Sequence, residues 1–287
     1  MAHLTPRDSG SQATIARSDP PAIDIRPLSS AEDYAACLAL QDATWGAEFS
    51  ERVPTAILKV SQRIGGVAAG AFDERGRLLG FVFGMTGVER GEPVHWSDML
   101  AVRPELHNLG LGRRLKEYQR DACLTIGVRR IYWTFDPLVA RNAHFNFNRL
   151  GAYATEYVEN MYGQNTASTL HVGVGTDRFI VAWPIGESTP AHVLGERTAH
   201  VASNAPVLTD GRADDPALDA PVVRVEIPCD IAAMQARAVD EATAWRDRTR
   251  QAFHAAVRAG YRVGGFYRDA AAGRCYYALV HSPFQTF

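Results

Sequence analysis

The amino-acid sequence predicts an α/β (α+β) protein. Short runs of apolar and β-branched residues alternate with segments of helical periodicity along most of the 287-residue chain. Two of the apolar runs, at 67–72 and 78–86, flank the turn residues DERG at 73–76, which is the pattern of a β-hairpin. Hydrophobic residues make up 46% of the chain, enough to bury a sizeable core.

The expected helices and strands can be placed in order along the chain. Ser29 and Glu32 have the spacing of a capping box, which predicts the start of the first helix. Gly127 and Gly151 follow helical patterns, and glycine is common just beyond a helix end. In chain order we expect a strand at 23–26, a helix ending near residue 45, a helix at 54–64, the two hairpin strands, a strand at 95–102, a helix at 110–126, a strand at 130–135, a short helix at 139–150, and strands at 152–157 and 177–183.

A change of composition divides the chain into two folded parts. Residues 187–221 are rich in Pro, Asp and Ala with little periodicity, which predicts a linker between a domain at 23–186 and a C-terminal unit at 222–287. The unit contains a predicted strand, a single helix over about 230–259 and a hairpin. So small a unit needs further burial, and we expect it to dock on the first domain.

Two features of the C-terminal unit can be anticipated. A helix ending at glycine leads into a strand pair at both Gly151 and Gly260, so the unit is a candidate partial repeat of 139–183. The alternative is that both are ordinary helix ends. We also expect the docked unit to line one side of a ligand-binding cleft, with Arg246, Arg250 or Tyr261 near the opening.

Charge and hydropathy exclude several classes of partner. The formal net charge is −2, which gives no bulk attraction to nucleic acid or to an anionic membrane. Residues 1–22 are polar and lack the apolar core of a signal peptide, so they are predicted to be a disordered tail. No apolar run reaches the roughly 18 residues that a membrane-spanning helix needs. A cytoplasmic protein is expected.

The cysteines support the same expectation. Cys37, Cys123, Cys229 and Cys275 are scattered, without a CxxC spacing. Neither a zinc site nor a disulfide framework is predicted, and a reducing compartment is favoured.

The most informative segment is a strand, a short loop and a helix that begins at two glycines. Gly110 and Gly112 let backbone N–H groups approach a ligand closely, and the helix N-terminus directs its unpaired donors to the same place. This arrangement binds phosphate. Arg113 and Arg114, in the first helical turn, favour a bound anion. The segment is not a P-loop, because no Gly-Lys-Ser/Thr follows, and it lacks the third glycine of the Rossmann fingerprint.

This segment resembles the acyl-CoA-binding motif of the GNAT superfamily. The resemblance rests on Val102-x-Pro104-Glu105-x-His107-x-x-Gly110-x-Gly112-x-x-Leu115. The order of elements over about 23–185 is also similar to that family's. The resemblance implies a mixed, mostly antiparallel sheet flanked by helices, an acetyl-CoA or succinyl-CoA donor, and no metal. One departure is His107, where family members usually have Arg or Gln.

The resemblance also implies where the donor binds. The strand ending at Val102 would part from strand 130–135 and hold the pantetheine arm, and an amide near Leu100 would polarise the thioester carbonyl. The expected donor-binding residues are Leu100, Ala101, Val102, His107, Asn108, Leu109, Gly110, Leu111, Gly112, Arg113 and Arg114.

The proton-transfer residues are less well determined by the motif. Many family members protonate the leaving thiolate with a Tyr at the position of Phe147, which cannot donate a proton. Tyr157 is the candidate that we assign, and Tyr153 and Tyr162 remain alternatives, as does unassisted departure of the thiolate.

The general base is expected on the strand that precedes the glycine loop. An amine is mostly protonated at neutral pH, so a base must accept its proton. Asp98, His95 and Ser97 are candidates. Strand alternation predicts that Asp98 shares a sheet face with Leu100 and Val102, whereas His95 has the better unperturbed pKa.

Further polar residues lie at the predicted strand–helix junction WTFDP at 133–137 and at the segment TDR at 176–178. They look like those of a little-characterised GNAT subgroup, sometimes found with N-acylamino-acid metabolism, that carries a C-terminal extension. In that light Arg141 or Arg178 would bind a carboxylate of the acceptor or of a dicarboxylic acyl group, and Asn142 is a further candidate substrate residue. The alternative is an ion pair of Asp136 or Asp177 with an arginine that fixes a loop.

These observations together predict an acyl-CoA-dependent N-acyltransferase. Its acceptor is expected to be the amine of a small molecule, such as an amino acid, and a homodimer is one open alternative for its assembly. A catalytically silent GNAT module that binds coenzyme A is the second hypothesis, motivated by Phe147 and His107. A protein N-acetyltransferase is the third, and no feature of the sequence singles it out.

Overall fold

The structure is a computed structural model, and it describes residues 23–163, 174–186, 202–209, 211–212 and 215–281. The predicted tail at 1–22 and residues 187–201 of the predicted linker lie outside the described residues. The domain limits placed at 186 and 222 stay predictions.

A seven-stranded sheet forms the first part of the molecule. Its strands are β1 (Asp24–Pro27), β2 (Val67–Phe72), β3 (Leu78–Glu89), β4 (Glu92–Val102), β5 (Arg130–Phe135), β6 (Tyr153–Val158) and β7 (Arg178–Pro184). They lie in the order β1-β2-β3-β4-β5-β7-β6, and β4 with β5 is the one parallel pair of neighbours in this sheet. The predicted fold class, a mixed and mostly antiparallel sheet with helices, is confirmed.

The helices of this part begin and end close to the predicted positions. They are α1 (Ala31–Trp45), α2 (Thr55–Arg63), α3 (Leu111–Thr125) and α4 (Ala140–Ala143), which continues as π-helical turns over His144–Leu150. The predicted capping box at Ser29 and Glu32 was wrong by one residue. The Ser30 hydroxyl accepts from the amide of Asp33, and the Asp33 carboxylate accepts from the amides of Ser29 and Ser30.

Two hydrophobic clusters hold the sheet between its helices. One includes Leu40, Leu58, Phe81 and Phe83 and lies beneath α1 and α2. The other contains α3 and the inward residues of β5 and β7, and it continues without a break into the C-terminal unit. The continuity means that removing the unit would expose apolar surface of the first sheet.

The C-terminal unit is built around a second sheet. Its strands are β8 (Val207–Leu208), β9 (Val222–Ile227), β10 (Tyr261–Asp269) and β11 (Arg274–His281), in the order β10-β11-β9-β8. The single helix predicted over 230–259 was wrong. The chain forms α5 (Ile231–Arg237) and α6 (Val239–Arg258), separated at Ala238, whose φ of −152° is extended.

The second sheet repeats the topology of the first from β4 onwards. The parallel pair β8 and β9 corresponds to β4 and β5, α6 corresponds to α4, and the hairpin strands return in the same order with the same directions. This bears out the predicted partial repeat. Among the described residues between β8 and β9, no α-helix corresponds to α3 and its glycine loop.

Polar contacts join the unit to the first sheet. The Arg246 guanidinium lies 2.6 Å from the Asp136 carboxylate, and the Arg250 guanidinium lies 2.8 Å from that of Asp177. Tyr277 donates a hydrogen bond of 2.7 Å to the carbonyl of Pro137. The expectation of Arg246 or Arg250 at an opening was wrong, because both guanidinium groups pair with carboxylates of the first sheet.

The third residue expected at the opening is also elsewhere. Tyr261 is buried, and its hydroxyl donates to the carbonyls of Leu218 and Ala220. These carbonyls belong to the segment that leads into β9. Tyr261 therefore anchors a loop of its own unit.

The cysteines depart from the prediction. Cys229 and Cys275 form a disulfide between the segment after β9 and the start of β11, although their spacing in the sequence gave no indication of pairing. Cys37 and Cys123 are free and buried. Two distant cysteines meet here because β11 pairs with β9, which only the tertiary fold establishes.

Among the described helices, none combines the length and the apolar character needed to cross a membrane.

Candidate active site

The site is centred where β4 and β5 separate. These parallel strands pair through only two positions, His95 with Ile131 and Trp96 with Tyr132. Towards their C-terminal ends they are no longer hydrogen-bonded to each other. The gap leaves backbone groups of β4 without a partner on that side, and such groups can bind an extended ligand.

A glycine loop lies at the end of this gap. Asn108 and Gly110 both have left-handed backbone conformations, with φ of 64° and 80°. The His107 ring lies 2.9 Å from the carbonyl of Val102, which fixes the loop against the end of β4. The loop thereby places the N-terminus of α3 at the gap.

The N-terminus of α3 fits a phosphate group. No side chain caps the helix, so its first amides keep their donors for a ligand. A Cβ atom built at Gly110 would meet no atom within 4 Å, and at Gly112 it would meet only Leu100 and Val102, at 3.6 and 3.9 Å. Open space in front of uncapped amides is what a pyrophosphate requires.

The two arginines of the first turn already have partners. Arg113 donates to Glu117 at 2.8 Å, and Arg114 donates to the carbonyl of Ile23 at 3.0 Å. Both side chains are exposed. They contribute positive charge near the loop, and a bound anion would compete with these contacts.

A β-bulge places Asp98 beside the gap. The register of β3 with β4 shifts between Phe83–Met99 and Gly84–Ser97, which leaves Asp98 without a partner in the ladder. The bulge also reverses the alternation of side chains. Ser97 contacts Lys116 of α3, and Leu100 lies on that same α3 side, so simple strand alternation does not apply across Asp98.

Asp98 lies in a recess that water can reach. Its side chain is exposed, although protein surrounds it on several sides. Loss of hydration raises the pKa of Asp98, the negative charge of Glu51 raises it further, and a hydrogen bond from Trp96 opposes both. A carboxylate of raised pKa accepts a proton more readily than an ordinary one.

Tyr162 lies within electrostatic range of Asp98. Its hydroxyl forms a 2.9 Å hydrogen bond with the Thr134 hydroxyl of β5. Burial raises the pKa of Tyr162, the Arg178 charge lowers it, and the charges of Asp98 and Glu51 raise it. The phenol therefore keeps its proton at neutral pH close to the Asp98 carboxylate.

Comparison with known sequences decides the family. Residues 34–152 match the sequence model of the Acetyltransferase (GNAT) family. The chain carries a GNAT-family acetyltransferase domain. The resemblance drawn from the glycine motif is thereby confirmed for this domain, and the expected class, an acyltransferase, is that of the matched family. No curated protein matches the chain at a significant level.

Several solved structures are similar to the GNAT part of the chain. The ribosomal-protein-S18-alanine N-acetyltransferase from Escherichia coli is 19% identical over 59% of this chain and 98% of its own, with a TM-score of 0.44. A GNAT acetyltransferase from Streptococcus pneumoniae is 17% identical over 57% and 100%, with a TM-score of 0.45. A phosphinothricin acetyltransferase from Sinorhizobium meliloti, in complex with acetyl-CoA, is 18% identical over 58% and 90%, with a TM-score of 0.44.

The GNAT domain has no phenol at the usual position of the acid. Phe147 is buried and packs edge-on against Phe135 and Tyr277. The assigned candidate, Tyr157, donates a 2.5 Å hydrogen bond to Asp177 and packs against Phe253 of α6. Its hydroxyl is thus held at the contact with the C-terminal unit.

Of the three tyrosines considered, Tyr162 is the one whose pKa the Asp98 charge affects. Tyr153 is exposed at the start of β6, and its charge acts on Arg130. Tyr162, by contrast, interacts electrostatically with Asp98. Sequence reasoning named Tyr162 only as an alternative, because its position after β6 gives no indication of the direction of its side chain.

His95 belongs to a buried polar network within the GNAT domain. Its Nδ1 lies 3.0 Å from the Thr86 hydroxyl and its Nε2 lies 3.0 Å from the Gln119 side-chain amide. The side chain is fully buried. Burial lowers the pKa of His95 to about 4, with a further contribution from Lys116. An enclosed, neutral imidazole with both nitrogens engaged is typical of a structural histidine.

Lys116 completes this network. Its ammonium group donates a 2.7 Å hydrogen bond to Ser97 and lies 4.1 Å from the centroid of the Trp133 ring. Burial lowers the pKa of Lys116 to about 7. Ser97 is therefore also part of the packing between β4 and α3, and of the three candidate bases only Asp98 faces the recess.

We expect His95 to make the stability of the protein depend on pH. The pKa of His95 in the folded protein lies below the unfolded value near 6.5. The protein therefore keeps its full stability above pH 6.5 and loses stability as the pH falls from there through about 4. The expected loss is on the order of 3 kcal/mol. In His95→Gln, urea unfolding should show a smaller decrease over this range.

The exposed His107 provides the control for this measurement. His107→Gln should keep the wild-type slope of unfolding free energy against pH. The pKa of Lys116, lowered to about 7, lies above this pH range, so titration of Lys116 does not contribute to the measured slope. An unaltered slope in His95→Gln would contradict the assignment.

The predicted acceptor residues occupy different environments. The Arg141 side chain is exposed on α4 and makes no ion pair or hydrogen bond with any residue that the structure describes, whereas Asn142 beside it is half-buried. Arg178 is buried, donates to the carbonyl of Asp177 at 2.8 Å and lies 3.9 Å from the Asp136 carboxylate. Ion pairs of both aspartates with arginines are present, and Arg246 and Arg250 of the C-terminal unit supply the closest ones.

Proposed function

We propose that this protein transfers an acyl group from acetyl-CoA or another short acyl-CoA to the amine of a small molecule. The observation that carries the proposal is the bulge at Asp98, which presents a carboxylate in a water-accessible recess beside the gap between β4 and β5. GNAT membership supports the donor. The recess supports an amine as the nucleophile, because a base lies where the amine would enter.

Each residue of the site has one task in this proposal. The amides at the N-terminus of α3 bind the pyrophosphate of the donor, and the gap between β4 and β5 holds the pantetheine arm. Asp98 accepts a proton from the ammonium form of the acceptor, directly or through water. The freed amine attacks the thioester carbonyl, and an amide near Leu100 stabilises the oxyanion.

Collapse of the tetrahedral species completes the reaction. The nitrogen of this species still carries one proton more than an amide, and it loses that proton to water as the carbon–sulfur bond breaks and the sulfur leaves as a thiolate. Tyr162 is the group that we assign to protonate it, in place of the predicted Tyr157. Its raised pKa keeps the phenol protonated at neutral pH, which suits a donor.

The acceptor is proposed to carry a carboxylate as well as its amine, as an amino acid does. Arg141 supports this, since its exposed guanidinium has no partner among the described residues. A planar guanidinium can bind a carboxylate through two hydrogen bonds. Arg178 is a less suitable ligand, because Asp136 and the carbonyl of Asp177 already occupy it.

Thiol release across a panel of amines tests the proposal. Acetyl-CoA and succinyl-CoA should be offered with amino acids, their decarboxylated amines and short peptides. Release is expected with at least one amino acid, and less with the matching decarboxylated amine. Binding of coenzyme A without release on any member would instead favour a silent donor-binding module.

A further inference from the structure

A buried arginine of the C-terminal unit reaches the end of β5. Arg246 of α6 is 2% exposed, and its guanidinium donates to the Asp136 carboxylate at 2.6 Å and to the carbonyl of Val174 at 2.9 Å. Asp136 directly follows Phe135, the last residue of β5. Its other oxygen accepts from the amide of Leu138 at 2.8 Å, which holds the carboxylate in one orientation.

The same carboxylate lies next to Arg178. The Arg178 guanidinium is 3.9 Å from Asp136, and its central carbon lies 5.3 Å from the centroid of the Tyr162 ring. Tyr162 in turn is hydrogen-bonded to Thr134, which stands two residues before Asp136 on β5. A continuous path of contacts therefore leads from α6 to the Tyr162 phenol.

We propose that Arg246 is a positioning residue for acyl transfer, acting through Asp136 and Arg178 to fix Tyr162 beside Asp98. This inference rests on the proposed function. It gives the C-terminal unit a role in acyl transfer in addition to its docking on the first sheet. By pairing with Asp136 at 2.6 Å, Arg246 limits the attraction of that carboxylate for Arg178, whose guanidinium lies over the Tyr162 ring.

Electrostatics give the direction of the effect. Without Arg246, the Asp136 charge would act more strongly on Arg178 and draw the guanidinium towards itself. Arg178 lowers the pKa of Tyr162 in the intact protein. Weakening that influence, and leaving an additional negative charge nearby, should raise the pKa of the phenol and displace its hydroxyl.

The proposal also explains why this contact is ionic. The interface already buries Phe253 and Tyr277 of the C-terminal unit against Phe179 of β7. A buried ion pair adds little net stability compared with apolar side chains of similar size. We therefore interpret the Arg246–Asp136 ion pair as a contact that orients the side chains leading to Tyr162 rather than one that stabilises the interface.

The test compares Arg246→Met with Arg250→Met in the full chain. Arg250 is the other arginine that joins α6 to the first sheet, and it pairs with Asp177 and Glu159. For Arg246→Met we expect kcat to fall about 100-fold, as for a misplaced catalytic group, with little change in the Kd of acetyl-CoA. Arg250→Met should lose thermal stability while keeping most of its kcat.

A second measurement does not depend on turnover. In protein labelled with 3-fluorotyrosine, the fluorine NMR signal of Tyr162 is assigned by its absence in Tyr162→Phe and is titrated with pH. The pKa should rise in Arg246→Met and change little in Arg250→Met. Arg246→Lys, which keeps the charge but not the planar group, should give an intermediate value and serves if the Met variant does not fold.

The outcomes separate this inference from the proposed function. If no amine is acylated but the Tyr162 titration shifts only in the Arg246 variants, the proposed function fails, and only the electrostatic link from Arg246 to Tyr162 is retained. If amines are acylated and both arginine variants behave alike in kcat and in titration, Arg246 only docks the unit and the inference is overturned.

Discussion

Replacing Asp98 with asparagine is expected to lower kcat for acyl transfer by about 10²- to 10⁴-fold, the usual contribution of a positioned general base. The variant keeps the size of the side chain and removes only its capacity to accept the proton. Because the bulge is fixed by the backbone register of β3 with β4, the fold should be unaffected. Steady-state thiol release with a saturating acceptor measures the effect.

The pH profile makes this prediction more specific. The raised pKa of Asp98 should place the acid limb of kcat/KM above the range of an ordinary carboxylate. Glu51→Gln removes one charge that raises that pKa, so its limb should move to lower pH while the plateau is retained. If Asp98→Asn kept the wild-type plateau of kcat/KM, Asp98 would be excluded as the general base.

Most elements of the first sheet could be predicted because their signals are local. The hairpin turn at 73–76, the helix-ending Gly127 and the loop around Gly110 each specify the backbone near themselves. The structure places α3 and the hairpin strands where these residues indicated. The GNAT motif was recognisable for the same reason, since its function depends on one strand, one loop and one helix start.

The bulge could not be predicted from alternation along β4. It arises from the pairing with β3, where Gly84 lies opposite the irregularity. One signal was present in the sequence, because a glycine inside a strand often marks a bulge or a close approach. A Cβ atom at Gly84 would come within 2.6 Å of the carbonyl of Trp96, so only glycine fits this register.

The contacts of the C-terminal unit were beyond sequence reasoning for another reason. Arg246 and Asp136 are separated by 110 residues, and neither side chain indicates its partner. The residues next to an arginine in the sequence do not indicate whether its side chain is exposed at an opening or buried in an ion pair. The pairing of Cys229 with Cys275 has the same origin, because the strands that bring them together are distant in the chain.

The glycine loop gives the second large expected effect. Gly110→Ala should raise the Kd of acetyl-CoA on the order of 100-fold, the loss expected when charged-group hydrogen bonds to a phosphate are broken. The added Cβ enters open space in front of the α3 N-terminus, where the pyrophosphate is proposed to lie. Calorimetric titration of the folded variant with acetyl-CoA measures the effect.

Backbone strain must be separated from this loss of binding, and α3 provides the control at its other end. Gly127 has φ of 81°, against 80° for Gly110, and a Cβ atom there would also meet no atom within 4 Å. Both substitutions should therefore cost about 1–2 kcal/mol of unfolding free energy, the penalty of a left-handed residue with a side chain. Only Gly110→Ala should lose acetyl-CoA, because Gly127 lies at the C-terminus of the helix. Equal affinities in the two variants, at equal stabilities, would show that the donor binds elsewhere than at the N-terminus of α3.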